Sequence, residues 1–306
     1  MMTTATFGLD RCDGGRMHCI RWSPDTAPLA VVQIFHGMQE HAGRYDELAR
    51  ALVGAGFAVY ASDHRGHGGS VSRPAEVGLL GPAGYKGVLC DLHSLSNAIR
   101  ATIADRPLFL LGHSWGSFLA QAYAQQWGAE LKGMILSGSN GADPLVGPGV
   151  VLARLVVAVR GGKRQAGLLE ALSVGGLNKA FEPGATGKEW LSRDVAEVRR
   201  YVDDPLCGCA FPNAFFLELV RLLRATWRTS AERRLPPGLS VLTMTGTADP
   251  VSRGGRGVRS LAARYRRLGL ADVTENYYDG ARHELFHETN RVEATRDLLA
   301  WLDARV

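Results

Sequence analysis

The chain has 306 residues, of which 46% are hydrophobic and 21% are charged, and its formal net charge is +5. This composition is typical of a soluble globular protein, and the length suits one large domain or a domain with a substantial insertion. The charge is mild and dispersed, and no basic run is interleaved with aromatic residues, so the sequence argues against nucleic acid as a partner.

The cysteines and the amino terminus predict a cytoplasmic protein. The first residues lack the basic head and apolar core of a signal peptide. The longest apolar run, around residues 149–159, is interrupted by Arg154 and is shorter than the ~20 residues that a membrane span needs. The cysteines are few, odd in number and without disulfide-framework spacing, which predicts reduced thiols. They are Cys12, Cys19, Cys90, Cys207 and Cys209.

Short apolar runs alternate with helical patterns along most of the chain. Their apolar character is continuous, which is typical of strands buried on both faces. The runs are Leu29–Phe35, Phe57–Ala61, Leu108–Leu111, Met134–Leu136, Leu239–Met244 and Val273–Tyr278. Helices are predicted at Tyr45–Gly54, Gly87–Ala104 and Ser117–Trp127. The alternation predicts an α/β fold with a mostly parallel central sheet and helices on both faces, and Arg11–Trp22 adds a hairpin signal at its edge.

The alternation stops between residues 139 and 237. This segment is mainly helical in pattern and has 14 Lys/Arg against 10 Asp/Glu, so it carries +4 of the net charge. The strand–helix rhythm resumes at Leu239. We therefore predict a core in two halves, residues 1–138 and 238–306, with a helical cap insertion at 139–237 that packs over the sheet. We call residues 139–237 the helical segment.

Gly112-His113-Ser114-Trp115-Gly116 fits the pattern G-x-S-x-G between a predicted strand and a predicted helix. This strand–turn–helix context is typical of a nucleophile elbow, which projects a serine hydroxyl above the edge of a sheet. Glycines two residues before and after the serine avoid clashes where the backbones crowd. The sequence therefore predicts Ser114 as a nucleophile.

A serine nucleophile needs a histidine base that is oriented by a carboxylate. Asp249 and His283 follow the last two predicted strands, in the order that this type of site requires. Two other carboxylates, Asp272 and Asp279, flank the strand that leads into the histidine loop instead of ending the preceding one. His287 is the rival base, one helical turn later. We predict Asp249 as the acid and His283 as the base.

An oxyanion hole needs two backbone N–H donors. The residue after the nucleophile, Trp115, supplies one, and the loop after the strand Leu29–Phe35 is expected to supply the other. Gly37 lets this loop turn back towards the serine, and Met38 is the predicted donor. His36, at the strand end, is predicted to support the loop by hydrogen bonding.

Two further patterns suggest metal sites. His283-Glu284-Leu285-Phe286-His287 matches H-E-x-x-H, the zinc signature of metallopeptidases. A zinc site would need a third ligand, and the extended form of the motif has Gly and His where this chain has Asn290 and Glu293. The stretch 63–70 (DHRGHGGS) concentrates an aspartate and two histidines, and we interpret it as a tight structural loop whose charged groups pair with one another. No metal or cofactor is predicted.

With these motifs in place, the chain resembles the monoacylglycerol lipase/lysophospholipase group of serine α/β-hydrolases. The resemblance is carried by residues 36–52 (HGMQEHAGRYDELARAL), 63–70, 112–117 (GHSWGS), 245–252 (TGTADPVS) and 277–302. It implies an α/β-hydrolase fold, the triad Ser114, Asp249 and His283, and the donors Met38 and Trp115. Relatives commonly have Gly, Met and Gly where Gln39, Trp115 and Ser117 stand. The helical segment matches only loosely.

The predicted activity is hydrolysis of carboxylic esters, resembling monoacylglycerols, lysophospholipids or other small acyl esters, through an acyl-enzyme. A thioesterase, an amide or peptide hydrolase and an acyltransferase share every motif and stay open. A non-catalytic scaffold and a zinc peptidase are alternatives from other classes. The apolar stretch 149–159 and Phe211, Phe215 and Phe216 would line an acyl channel or a lid with transient membrane contact, or would form ordinary core.

Overall fold

Eight strands form a single sheet in the computed structural model, which describes residues 2–181 and 183–306. They are β1 (Met2–Asp10), β2 (Arg16–Pro24), β3 (Val31–Phe35), β4 (Ala58–Ser62), β5 (Leu108–His113), β6 (Gly133–Ser137), β7 (Ser240–Gly246) and β8 (Val273–Tyr278). Their order across the sheet is β1-β2-β4-β3-β5-β6-β7-β8. β2 pairs antiparallel with β1 and β4, and the other pairs are parallel. The predicted mostly parallel sheet and its edge hairpin are confirmed.

Ten α-helices accompany the sheet in the described residues. They are α1 (Asp46–Gly54), α2 (Tyr85–Thr102), α3 (Trp115–Trp127), α4 (Val146–Arg160), α5 (Gly167–Ser173), α6 (Val195–Asp203), α7 (Asn213–Thr226), α8 (Thr229–Glu232), α9 (Arg256–Arg267) and α10 (Arg291–Asp303). Six short 3-10 helices lie between them. The predicted helices are present with shifted ends, and α3 begins directly after Ser114.

Both faces of the sheet are buried, as the continuous apolar runs predict. In β5, Leu108 and Leu110 pack on the face covered by α2, α3 and α9, whereas Phe109 and Leu111 pack on the face covered by α1 and α10. All four side chains are at most 3% exposed. Burial of one such side chain contributes about 1.5–3 kcal/mol. The buried sheet therefore fixes the positions from which the loops at its carboxyl edge begin.

The helical segment lies between β6 and β7. Five of the helices, α4 to α8, belong to it, and the described residues between β6 and β7 contain no strand of the sheet. The boundaries at residues 138 and 238 stay a prediction. Met1 and Glu182, which fall within the predicted ranges, lie outside the described residues.

The prediction of five reduced thiols was wrong, because Cys12 and Cys90 form a disulfide. Cys12 lies in the turn between β1 and β2, and Cys90 lies on α2, 78 residues away in sequence. Packing of α2 beside the turn between β1 and β2 brings these distant positions together, which spacing alone does not indicate. Cys19, Cys207 and Cys209 are free. The disulfide removes the thiol argument for a cytoplasmic location, which stays a prediction.

The helices of the described residues are all too short or too polar to cross a membrane.

Candidate active site

Ser114 lies at the turn between β5 and α3. Its φ of 52° and ψ of −121° fall in a region that side chain-bearing residues rarely adopt, so the backbone is strained there. A Cβ on Gly112 would come within 2.5 Å of the Gly116 carbonyl oxygen, and one on Gly116 would overlap the carbonyl oxygen of Phe35. The sharp turn therefore needs both glycines, as the motif predicts, and it brings Ser114 to the sheet's carboxyl edge.

Asp249 and His283 meet at the same edge. Asp249 follows β7 and His283 follows β8, and the imidazole Nδ1 lies 3.0 Å from the carboxylate Oδ1. The same oxygen accepts the backbone N–H of Val251 at 2.9 Å. Both side chains are fully buried. Burial lowers the pKa of His283, but the charge and hydrogen bond of Asp249 outweigh it and raise that pKa above its usual value.

Ser114 and His283 line one cavity of about 950 Å³, together with Met38 and Trp115. The His283 Nε2 atom is buried and has no hydrogen-bond partner among the described residues. The bond from Nδ1 to Asp249 fixes the ring orientation, and Nε2 is the nitrogen left to handle a proton. The structure thus brings four of the five predicted site residues around one cavity and puts Asp249 behind His283.

The loop after β3 lies against the nucleophile. A Cβ on Gly37 would be 3.3 Å from the Ser114 Cβ. The Gly37 N–H donates to Glu40 Oε1, whereas the amides of Met38 and Trp115 have no acceptor in the part of the chain that the structure describes. Trp115 is the first residue of the 13-residue helix α3, whose amino terminus carries partial positive charge. Both amides suit the stabilisation of an oxyanion.

The rival candidates have other partners. Asp272 pairs with Arg305, with oxygen–nitrogen distances of 2.7–2.9 Å. Asp279 accepts the hydroxyl of Thr247 at 3.2 Å. His287 Nε2 lies 3.0 Å from the carbonyl oxygen of Arg44. None of these three side chains lines the cavity that holds Ser114.

A buried ion network ties the two loops of the site together, and sequence reasoning missed it. The Arg44 guanidinium binds both Glu284 oxygens at 2.7 Å and Glu40 Oε2 at 2.7 Å. Glu40 Oε1 also accepts the Tyr45 hydroxyl at 2.8 Å. Burial raises the pKa of both carboxyls, but Arg44 outweighs it and holds their pKa below the usual range. The sequence signal that could have indicated this network is a Glu in each of the two loops, Glu40 and Glu284, together with Arg44, four residues after Glu40.

The network also accounts for the zinc-like motif. Glu284 is the acid that pairs with Arg44, and His283 bonds to Asp249. Only Leu285–His287 form a helix, of the short 3-10 type, so the two histidines do not share one α-helical face. The H-E-x-x-H pattern here does not have the helical geometry that zinc peptidases require.

One other group of side chains has metal-ligand chemistry. His41, Asp204 and Cys207 bring ligand atoms within 4.8 Å of one another. Asp204 already accepts His41 Nε2 at 2.9 Å and the Leu206 N–H at 2.8 Å. Burial raises the pKa of the Cys207 thiol well above its usual value, which favours the neutral form. These contacts suit a structural anchor of the loop after β3.

The loop at residues 63–70 is structural, but its charged groups do not pair with one another as predicted. Asp63 accepts the His18 Nδ1 at 3.1 Å and the N–H groups of Ala42 and Gly69. Arg65 instead reaches α2, where it pairs with Asp91. The reason is that the loop lies between the edge hairpin, the loop after β3 and α2, and each of these elements offers partners for its charged groups.

Neutral histidines pack beneath the site. His36 stacks on His64 at 3.8 Å between ring centroids, and its Nε2 accepts the His64 N–H at 2.9 Å, which fits its predicted support role. His67 stacks on Trp115 at 5.2 Å. Burial lowers the pKa of His67 to about 3, and burial and the neighbouring His283 lower the pKa of His113 to about 4. These rings therefore stay uncharged near neutral pH.

The cavity lining is partly polar and partly apolar. Its polar lining includes Gln39, Glu40, Asn178, Lys188, Tyr201 and Glu284. Its apolar wall comes largely from α4 and α7, and includes Val146, Leu152, Phe216, Leu219, Val220 and Leu223. Of the three predicted aromatic residues only Phe216 lines it, whereas Phe211 and Phe215 pack against His67.

Comparison with known proteins gives consistent matches. Residues 26–290 match a family described as serine aminopeptidase, S33. The chain is 30% identical to the human monoglyceride lipase over 305 residues, covering 97% of this chain and 90% of that one. It is also 30% identical to the monoacylglycerol lipase of Mycolicibacterium smegmatis, covering 92% and 90%. A carboxyl esterase from Bacillus coagulans, solved with glycerol, has a TM-score of 0.93, 25% identity and coverage of 100% and 99%.

Proposed function

The chain belongs to the serine aminopeptidase S33 family, and from its site and its similarity to two lipases we propose that it is a carboxylic ester hydrolase acting on small acyl esters of the monoacylglycerol type. The contact that carries the proposal is the 3.0 Å hydrogen bond between His283 Nδ1 and Asp249, beside a cavity that Ser114 and His283 share. This bond supports His283 as a base, because it leaves Nε2 free to accept the proton of the Ser114 hydroxyl.

Acylation begins at the Ser114 hydroxyl. His283 Nε2 takes its proton while Oγ attacks the ester carbonyl carbon, and Asp249 stabilises the imidazolium that forms. The negative charge moves to the carbonyl oxygen, where the amides of Met38 and Trp115 hold it. When the intermediate collapses, the bond to the alcohol oxygen breaks, and His283 returns the proton to the leaving alcohol.

Deacylation repeats these steps with water. His283 takes a proton from water as the oxygen attacks the acyl carbon, and then returns a proton to Ser114 Oγ as the acid leaves. The neighbouring His113 stays neutral through this cycle because its pKa of about 4 is far below that of His283. A second positive charge beside the imidazolium is thereby avoided.

The cavity supports a substrate with one polar and one apolar part. The wall from α4 and α7 suits an acyl chain, and polar side chains of the lining such as Asn178 and Lys188 suit hydroxyl groups of a small alcohol. The human and mycobacterial relatives are named as monoglyceride and monoacylglycerol lipases, which agrees with this division.

The proposal is tested with a panel of monoacylglycerols, lysophospholipids and p-nitrophenyl esters, with Ser114→Ala as the blank. We expect turnover of monoacylglycerols and p-nitrophenyl esters that Ser114→Ala abolishes. Turnover that survives in Ser114→Ala would contradict the proposal, as would the absence of activity on every ester.

Peptide hydrolysis is the second candidate, because the matching family is described as an aminopeptidase. Recognition of a free α-amino group needs an unpaired carboxylate near the nucleophile. Here Glu40 and Glu284 are buried and share Arg44 as their partner, and Glu170 accepts the Gln39 amide at 3.0 Å, so each of these carboxylates already has a hydrogen-bond partner. We therefore expect aminoacyl p-nitroanilides to be cleaved far more slowly than the esters, and the reverse order would favour the peptidase.

We further propose transient contact between the helical segment and a membrane surface. Leu155 and Val159, on one face of α4, are 58% and 83% exposed, and Leu172 on α5 is 63% exposed. α4 contains no acidic residue, and its Arg154 and Arg160 are exposed. Apolar and basic side chains together suit an anionic lipid surface. Leu172 also lines the cavity, so this surface is continuous with the proposed acyl site.

Flotation with vesicles of phosphatidylcholine and phosphatidylserine tests this contact. The wild type is expected to float with the vesicles and the double variant Leu155→Ser/Val159→Ser to stay behind. Val292→Ser is the control, because Val292 is 78% exposed but lies on α10, outside the proposed lipid-binding helices α4 and α5. Equal flotation of all three proteins would refute the contact.

A further inference from the structure

Gln39 has an unusual backbone conformation beside the predicted oxyanion donor. Its φ is 60°, in the left-handed region, and Ser114 is another of the few non-glycine residues with positive φ among those described. A non-glycine residue in this region is strained and persists only where its surroundings hold it. Gln39 is 5% exposed, so its surroundings are protein.

Four hydrogen bonds hold Gln39, and every partner belongs to the helical segment. The side-chain Nε2 donates to Glu170 Oε1 at 3.0 Å and to the Cys209 carbonyl at 2.8 Å. The Gln39 carbonyl oxygen accepts the Gly208 N–H at 2.9 Å and the Tyr201 hydroxyl at 3.1 Å. A single residue thus connects the loop after β3 to three separate parts of the helical segment.

The residues on either side make this connection relevant to the active site. Met38, the proposed oxyanion donor, precedes Gln39 directly. Glu40 follows it and is anchored in the core through the Gly37 N–H and Arg44. The loop is therefore fixed on one side by the core and on the other by the helical segment.

We propose that Gln39 is a positioning residue that couples the helical segment to the oxyanion hole. Its amide holds the loop against α5 through Glu170, so that the position of the Met38 N–H depends in part on the position of α5. α5 also carries the exposed Leu172, so a displacement of this helix at a lipid surface reaches the oxyanion hole through one hydrogen bond. The inference rests on the proposed function, because it assigns Gln39 to the same hydrolytic site.

Gln39→Gly is the decisive variant. Glycine adopts the positive φ without strain and keeps the backbone carbonyl, but it loses both side-chain bonds. Glu170→Ala removes one acceptor, and Glu170→Gln restores an acceptor without the charge. Gln165→Ala is the matched control, because Gln165 is an exposed glutamine just before α5. All are assayed on a soluble p-nitrophenyl ester, with active sites counted by a fluorophosphonate.

We expect Gln39→Gly to lower kcat about tenfold with KM changed less than about twofold, because a displaced oxyanion donor affects the transition state and not substrate binding. Binding of an alkylboronic acid, which forms a tetrahedral adduct on Ser114, weakens by about the same factor. Glu170→Ala lowers kcat about threefold, since the bond to Cys209 remains, and Glu170→Gln and Gln165→Ala stay close to wild type. Tm does not fall in Gln39→Gly because the strain is relieved.

The double variant Gln39→Gly/Glu170→Ala separates coupling from independent effects. If the amide acts through Glu170, the double variant matches Gln39→Gly. An unchanged kcat in Gln39→Gly, additive losses in the double variant, or a rise in KM alone would each overturn the inference. Failure of the proposed function has a different signature, in which the wild type itself hydrolyses no ester or Ser114→Ala stays active.

Discussion

The carboxyl edge of the sheet and the helical segment differ in which side chains they bury and which they expose. At the edge, charged side chains are buried and paired, as in the network of Arg44 with Glu40 and Glu284, whose side chains are at most 8% exposed. On the outer surface of the helical segment, large apolar side chains such as Leu145 and Val159 are exposed to 71% and 83%. A buried ion pair requires nearly fixed geometry, whereas exposed apolar groups tolerate movement and substitution.

The difference separates reaction chemistry from substrate choice. A proton transfer demands a base in a fixed orientation, and the edge supplies it through the buried bond from His283 to Asp249. Selection of an acyl chain demands only a wall of suitable shape, which α4 and α7 provide. The two regions meet at Gln39 and Trp115. The largest effects of substitution are expected at the edge, and the smallest where the edge meets the wall.

Loss of the acid is expected to have the largest effect. Asp249→Asn keeps the size of the side chain but no longer stabilises the imidazolium, and kcat falls by roughly 10⁴. The pH profile changes in a defined direction. In the wild type, activity falls as the pH drops through the raised pKa of His283, because only the neutral base works. The variant loses the contributions of Asp249, which raise that pKa most, while burial still lowers it, so the residual activity persists to lower pH.

Kinetics of both proteins between pH 4 and 9 on a p-nitrophenyl ester would check this. A variant whose acid limb stays where it is in the wild type would show that Asp249 does not set the pKa of His283.

Loss of the central cation is expected to affect stability. Arg44→Met leaves Glu40 and Glu284 buried without their partner, which costs about 3–5 kcal/mol of unfolding free energy. In the wild type the pKa of both carboxyls is lowered, so their contribution is present above the usual carboxyl pKa and is lost as the pH falls through the lowered values. In the variant, burial raises both pKa values instead, so the carboxyls can bind protons.

The deficit of Arg44→Met should therefore be largest at pH 8 and smaller at pH 5, as measured by urea unfolding. Arg50→Met is the control, because Arg50 makes an exposed pair with Asp46. An equal urea midpoint for the two variants at pH 8 would contradict the proposed role of the buried network.

The smallest effect is expected at Trp115, where the edge meets the wall. Trp115 is 2% exposed, stacks on His67 and lines the cavity, so its ring limits the space beside Ser114. Trp115→Met keeps the backbone donor and reduces the bulk. The ratio of kcat/KM for p-nitrophenyl palmitate over p-nitrophenyl butyrate should rise about threefold to tenfold.

Trp127→Met, which changes a tryptophan stacked on His93 and away from the cavity, should leave this ratio unchanged. A ratio that moves equally in the two variants would show that Trp115 does not limit chain length.

The sequence indicated where Ser114, Asp249 and His283 lie on the sheet, but it indicated the helical segment only in outline. Ser114, Asp249 and His283 follow strand ends, and parallel strands bring their carboxyl ends to one edge, so order along the chain was sufficient. The contacts of Gln39 with Glu170 and of Cys12 with Cys90 span 131 and 78 residues and depend on the packing of helices. Local pattern does not encode such packing. The pairing of Arg44 with Glu284 spans 240 residues, and local pattern does not predict it either.

Covalent labelling tests the central claim most directly, namely that Ser114 is the nucleophile of an acyl-enzyme. The wild type is treated with a fluorophosphonate, digested and mapped by mass spectrometry. One adduct per chain on the peptide that contains Ser114 is expected, with much slower labelling in Asp249→Asn and none in Ser114→Ala. An adduct on another residue, or undiminished labelling of Ser114→Ala, would contradict the account.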